Sequence, residues 1–145
     1  MKVLLAGGGT GGHVYPAIAI ANKIKEHNPD CEILFVGTKN GIESEIVPKA
    51  GFELKTVTVQ GFKRKIDFDN FKRVFKLCKG LEQSRRIVKK YKPDIVIGTG
   101  GYVSGPVLFN AAMSKKVTIV HEQNSFPGVT NKILSKVATK VLTSF

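Results

Sequence analysis

A ten-residue stretch near the start, Gly7-Gly8-Gly9-Thr10-Gly11-Gly12-His13-Val14-Tyr15-Pro16, most restricts what this chain can become. An apolar run, Val3-Leu4-Leu5-Ala6, precedes it, and a helical pattern beginning Ala17-Ile18-Ala19-Ile20 follows. That order reads as strand, glycine turn, helix. Five glycines in six positions strip the turn of side-chain bulk, so the backbone can take positive φ and another molecule can approach closely. The N–H groups opening the helix and the helix dipole make the turn electropositive, a fitting seat for a phosphate or a polar sugar.

Two formal motifs overlap here. Gly7, Gly9 and Gly12 satisfy the dinucleotide fingerprint G-x-G-x-x-G. That motif also expects an acid closing the second strand to hold a ribose, and the second strand ends Phe35-Val36-Gly37-Thr38-Lys39, without one. The phosphate-binding loop of nucleoside triphosphatases is excluded, because no Lys-Ser/Thr pair closes the turn.

The rest of the chain repeats the alternation. Strands are predicted over 3–6, 32–36, 53–59, 95–97, 117–120 and 141–143, with helices over 16–27, 42–50, 71–90, 105–113 and 128–137. Alternation of this kind predicts an α/β fold: a Rossmann-like parallel sheet with helices on both faces. At 145 residues and 42% hydrophobic content, one domain with one core is expected. No apolar run approaches the roughly 18 residues of a membrane span. The chain enters a strand at once, so no secretory leader is expected. It stops just after a strand, which points to one half of a larger protein. Cys31 and Cys78 lie in predicted elements without metal-ligand spacing and are expected as reduced, part-buried thiols.

Three polar clusters follow apolar strands: the first glycine turn, Gly98-Thr99-Gly100-Gly101-Tyr102-Val103-Ser104-Gly105-Pro106, and His121-Glu122-Gln123-Asn124. In a parallel sheet all three fall on the carboxyl rim, where ligands bind. A neutral imidazole at position 13 can accept a proton, Glu122 can act on or orient it, and Asn124 can both donate to and accept from sugar hydroxyls. Tyr102, among glycines, is expected to face a ligand.

Net charge is +12, and residues 62–92 hold 12 lysines and arginines against three acids, so +9 of it lies there. Such a patch implies an anionic partner. Phe71, Val74, Phe75, Cys78 and Leu81 recur at helical spacing, and this stripe is expected to lie on the sheet. Phe62, Ile66 and Phe68 are harder to bury; with Lys63, Arg64 and Lys65 they form a candidate contact for an anionic membrane surface. A basic nucleic-acid-binding domain is the rival reading from charge alone, but no recognised motif supports it and nucleic acid is not expected as a partner.

Gly8 to Pro16, Gly100 to Pro106, His121 to Asn124 and the continuation Pro127-Gly128-Val129-Thr130-Asn131-Lys132 together resemble the MurG family of bacterial glycosyltransferases, in register from the start to Phe145. The resemblance implies the N-terminal, acceptor-binding domain (1–145) of a GT-B enzyme, with the C-terminal, donor-binding domain outside this chain. It implies inverting transfer of N-acetylglucosamine from UDP-GlcNAc to lipid I, making lipid II for peptidoglycan, by a peripheral enzyme on the cytoplasmic face of the cell membrane. Carried over by position, His13 would be the general base, with Glu122 the alternative. Thr10, Gly11, Gly12 and Asn124 would touch UDP-GlcNAc, and Gly9, Gly100, Gly101, Tyr102, His121 and Asn131 would line the acceptor and its diphosphate. No metal or cofactor is implied, and Asp67-Phe68-Asp69, a D-x-D in the basic stretch, reads as accidental. A non-catalytic, membrane-anchoring acceptor subunit of a split GT-B enzyme is the alternative.

Overall fold

The computed structural model describes residues 1–62 and 65–144. The elements alternate as expected: β1 (Lys2–Gly7), α1 (Gly11–His27), β2 (Glu32–Gly37), α2 (Glu43–Lys49), β3 (Glu53–Thr56), α3 (Asp69–Tyr91), β4 (Ile95–Gly100), α4 (Ser104–Met113), β5 (Val117–Glu122), α5 (Val129–Leu134) and β6 (Lys140–Thr143). The strands pair in parallel in the order β3-β2-β1-β4-β5-β6. The chain winds outward in one direction from β1 and in the other from β4, so the topological switch point lies between these two strands.

Side-chain alternation along each strand feeds two cores. Val3 and Leu5 of β1 pack with Phe35, Ile97 and the buried face of α1, Val14, Ala17 and Ala21. Leu4 and Ala6 face the other side, with Val36, Val96, Val107, Leu108 and Leu134. Both faces of the central strands are dry, which is why they read as continuous apolar runs rather than alternating ones.

Helix α3 departs from the expected pattern. Its buried residues are Gly80, Ser84 and Val88, not the stripe that begins at Phe71. Phe71 is 70% exposed and Phe75 75% exposed, and Cys78 is exposed as well. The reason is length. A 23-residue helix runs about 34 Å, while a six-residue strand covers about 20 Å. Only the second half of α3 therefore lies on the sheet. There Gly80 is required, because a Cβ would strike the Thr58 carbonyl oxygen. The amide of Asn110 on α4 donates to the Leu81 carbonyl (2.8 Å). No helix among the described residues is long and apolar enough to cross a membrane.

Candidate active site

Helix α1 begins at Gly11, five residues before the expected start, which brings His13 into its first turn. Thr10 occupies the N-cap but does not cap: its hydroxyl lies 3.1 Å from His13 Nδ1 instead. The opening N–H groups on Gly11 and Gly12 are beyond the reach of any helix carbonyl, and among the described residues Thr10 does not cap them.

His13 is held from below. Its Nδ1 is 3.2 Å from the Gly8 carbonyl oxygen. A carbonyl only accepts, so the tautomer that makes this bond carries its hydrogen on Nδ1 and leaves the Nε2 lone pair free; in the other tautomer the Thr10 hydroxyl donates to Nδ1 instead. The ring edge carrying Nε2 lies over Gly100, where a Cβ would come within 2.9 Å of it. Gly100 and Gly101 both have positive φ, and a Cβ on Gly101 would collide with the Gly8 oxygen. The second glycine turn is thus glycine-rich because the first turn and His13 sit against it.

A proline supplies the third connection. Pro16 has no N–H, so the Gly12 carbonyl four residues earlier lacks its helix donor. The Gln123 amide fills that gap, donating to Gly12 O (2.7 Å) and to Thr99 O (3.1 Å). Gln123 therefore fastens the end of β5 to the starts of α1 and the β4 turn. In the sequence it was one polar residue in a run of four; only the proline's missing donor, four residues after Gly12, hinted at its task.

Strand β5 extends two residues further than expected and takes in His121 and Glu122. Alternation then sends these neighbours to opposite faces of the sheet. His121 shares the side of Ile119, the α1 side, and is half-buried. Glu122 turns toward α5, away from His13, with both carboxylate oxygens engaged. Asn124 N–H and side-chain amide donate to Oε1 (2.9 Å each), and Asn131 (2.8 Å) and Gly128 N–H (3.2 Å) donate to Oε2. Burial pushes the Glu122 carboxyl up, but these four donors outweigh it and hold it below the ordinary carboxylate range. Here it braces the loop that carries Asn124.

A residue absent from the sequence-derived set sits beneath the first turn. Glu43, the first residue of α2, is fully buried. It accepts from Gly9 N–H (3.0 Å), Thr38 N–H (2.8 Å) and Thr38 Oγ (2.7 Å). Burial raises its pKa, but the hydrogen bonds from Gly9 and Thr38 outweigh that and the net direction is downward. A Cβ on Gly8, Gly37 or Gly41 would run into it, so three glycines exist to make room for one carboxylate. In the sequence Glu43 looks like a solvated residue beside Glu45. Its one signal was the missing acid after the second strand, a place it fills from the next helix. Gly9 N–H is thereby committed within the protein.

Five of the predicted residues, Gly9, Tyr102, Glu122, Asn124 and Asn131, are divided between two clefts, and His13 borders neither. Gly8, Gly9, Thr38, Gly61 and Tyr102 border a cavity of about 250 Å³. Glu122, Asn124, Asn131 and Lys132 border another of about 230 Å³. Tyr102 is exposed, its ring against Gly61. Asn131 is buried. Beyond the first cleft, Ile66 and Phe68 are exposed to 104% and 88%, and Phe62 and Lys65 are exposed too. Lys63 and Arg64, expected in the same contact, lie outside the described residues.

The glycosyltransferase family 28 N-terminal domain matches residues 3–143. The chain belongs to that family. A UDP-N-acetylglucosamine–N-acetylmuramyl-(pentapeptide) pyrophosphoryl-undecaprenol N-acetylglucosamine transferase of Clostridioides difficile is 85% identical over the whole chain, which spans 36% of that protein. A protein of the same name from Alkaliphilus oremlandii is 59% identical, with 40% of its length covered. The crystal structure of Acinetobacter baumannii MurG superimposes with a TM-score of 0.85 at 32% identity, over 99% of this chain and 41% of the other. The Rossmann-like expectation is met, and this family 28 domain matches the N-terminal part of a GT-B chain. UDP-GlcNAc 2-epimerase of Neisseria meningitidis shares the fold at 14% identity and a TM-score of 0.65.

Proposed function

We propose that this domain forms the acceptor side of a sugar-transfer site in a longer enzyme. That enzyme moves N-acetylglucosamine from UDP-GlcNAc to lipid I, with inversion, and makes lipid II. The observation that carries the reading is His13: Nδ1 is pinned to Gly8 O, and Nε2 is free beside two glycine turns and an uncapped helix start. The names of relatives matching the whole chain supply the substrates.

In the step proposed, Nε2 takes the proton of the acceptor hydroxyl. Its oxygen forms the bond to the anomeric carbon on the face opposite the leaving group, and UDP departs with the electron pair. The N–H groups of Gly11 and Gly12 and the Gly100-Gly101 turn face diphosphate oxygens. Gly9 contributes conformation rather than a donor, because its N–H is taken by Glu43. Thr10 and Asn124 approach the donor sugar nucleotide, while Tyr102, His121 and Asn131 shape the acceptor side. The transfer needs no chelated metal. The C-terminal part supplies the rest of the donor site, and nucleic acid is not a partner. The enzyme is peripheral on the cytoplasmic face of the bacterial membrane. Phe62, Ile66 and Phe68 touch the surface there, joined by Phe71 and Phe75 at the exposed end of α3.

In the full-length enzyme, His13→Ala should lower kcat by about 10²–10⁴-fold and change KM far less. A loss below about tenfold removes His13 from the base role.

A further inference from the structure

Glu43 and His13 bond to opposite ends of one peptide group. Gly9 N–H donates to Glu43 Oε2 at 3.0 Å, and the Gly8 oxygen of that same amide lies 3.2 Å from His13 Nδ1, which also has the Thr10 hydroxyl at 3.1 Å. We infer that Glu43 is a positioning residue for the transfer reaction, acting on His13 through the Gly8–Gly9 peptide. The inference rests on the reading of His13 as the base.

A carboxylate hydrogen-bonded to an amide N–H draws that hydrogen toward itself and enlarges the dipole of the C=O at the far end. The Gly8 oxygen becomes a better acceptor, which holds the hydrogen on Nδ1 and leaves Nε2 the more basic nitrogen. A carboxylate bonded directly to Nδ1 does this in catalytic triads; here one peptide unit stands between them. The site is built for it. The carboxylate is fully buried, three donors fix it, and Gly8, Gly37 and Gly41 lack the Cβ atoms that would displace it. Gly9 has φ of +84°, the conformation that turns its N–H inward. Among the described residues Glu43 makes no ion pair, so its charge is expressed through these donors. The other titratable groups on the elements around the ring are Tyr15 on α1, Tyr102 after β4, and His121 and Glu122 on β5. Among the described residues none of them bonds to the ring, whose partners are Gly8 O and the Thr10 hydroxyl, and Glu122 is tied to the α5 side.

The test uses the intact enzyme with ¹⁵N-labelled histidine, the His13 resonances being assigned by their loss in His13→Gln. In the parent, the His13 ring should carry its hydrogen on Nδ1. Glu43→Gln keeps the shape but puts an amide where one acceptor oxygen was. It should shift the ring toward the Nε2–H tautomer and move the acidic limb of kcat/KM to lower pH. It should also cut kcat by about 10–100-fold, part of what general-base catalysis supplies, with KM within about twofold. A parent ring already protonated on Nε2 overturns the inference, whether or not the variant folds. So does a Glu43→Gln enzyme that loses thermal stability while tautomer and pH limb stay put, since that outcome makes Glu43 a loop brace only. If His13 is dispensable for turnover yet Glu43→Gln still moves the tautomer, the relay stands and the base role fails.

Discussion

Two buried carboxylates show how single residues hold this rim together. Glu43 and Glu122 are each ringed by N–H donors and carry pKa values below the ordinary range. For a group lowered in the folded state, the stabilisation is complete above the unfolded pKa of about 4.3 and is lost as pH falls through the folded value. Glu122→Gln should therefore destabilise the domain by about 1–3 kcal/mol at pH 7, the cost of a donor left unpaired. The gap from the parent should shrink as pH drops below about 4. Denaturant unfolding of both proteins at several pH values measures this; a gap that does not change with pH would show that the ionised form is not what the loop requires. Neither Glu43 nor Gln123 announces itself in the sequence. A glutamate at a helix start and a glutamine in a polar run become site residues only when a turn folds over them.

At the scale of elements, α3 makes two helices of one. Its second half is a packing element, with Gly80 against Thr58, Ser84 and Val88 buried, and Gln83 accepting from Thr58 N–H (2.6 Å). Its first half reaches past the sheet and presents Phe71, Val74 and Phe75 beside lysines. The two halves should respond differently to mutation. Val88→Ala should cost about 2 kcal/mol of stability. A Phe71→Ser, Phe75→Ser double variant should change stability by no more than about 0.5 kcal/mol per site. That double variant should weaken the anionic-liposome binding that survives 1 M salt, where charges are screened beyond about 3 Å, leaving the share carried by Phe62, Ile66 and Phe68. Cosedimentation with vesicles at low and high salt separates the two contributions. Salt-resistant binding equal to the parent's would remove Phe71 and Phe75 from the membrane contact. The periodicity that predicted a stripe was real; what it could not say was how much sheet lay beneath it.

For the whole molecule, strand order puts β1 and β4 side by side, so two glycine turns some 90 residues apart in sequence meet. In the proposed enzyme these turns form one wall of the cleft. The chain spans 36–40% of the curated relatives described above, so the 145 residues alone should give no measurable transfer from UDP-GlcNAc to a lipid I analogue. Joined to the C-terminal part of such a relative, they should turn over. Clear turnover by the chain alone would mean that one wall suffices. The sequence by itself determined the element order, the parallel sheet with helices on both faces, the glycine turns and the rim on which they lie, because apolar periodicity and glycine spacing are local properties. Only the tertiary structure decided that α3 is half exposed, that His121 and Glu122 face opposite sides, that Pro16 leaves a carbonyl for Gln123, and that Glu43 lies under the turn holding His13. Each of these depends on which atoms meet across distant segments, on strand length against helix length and on a donor missing in one place and supplied from another. No local pattern records such meetings.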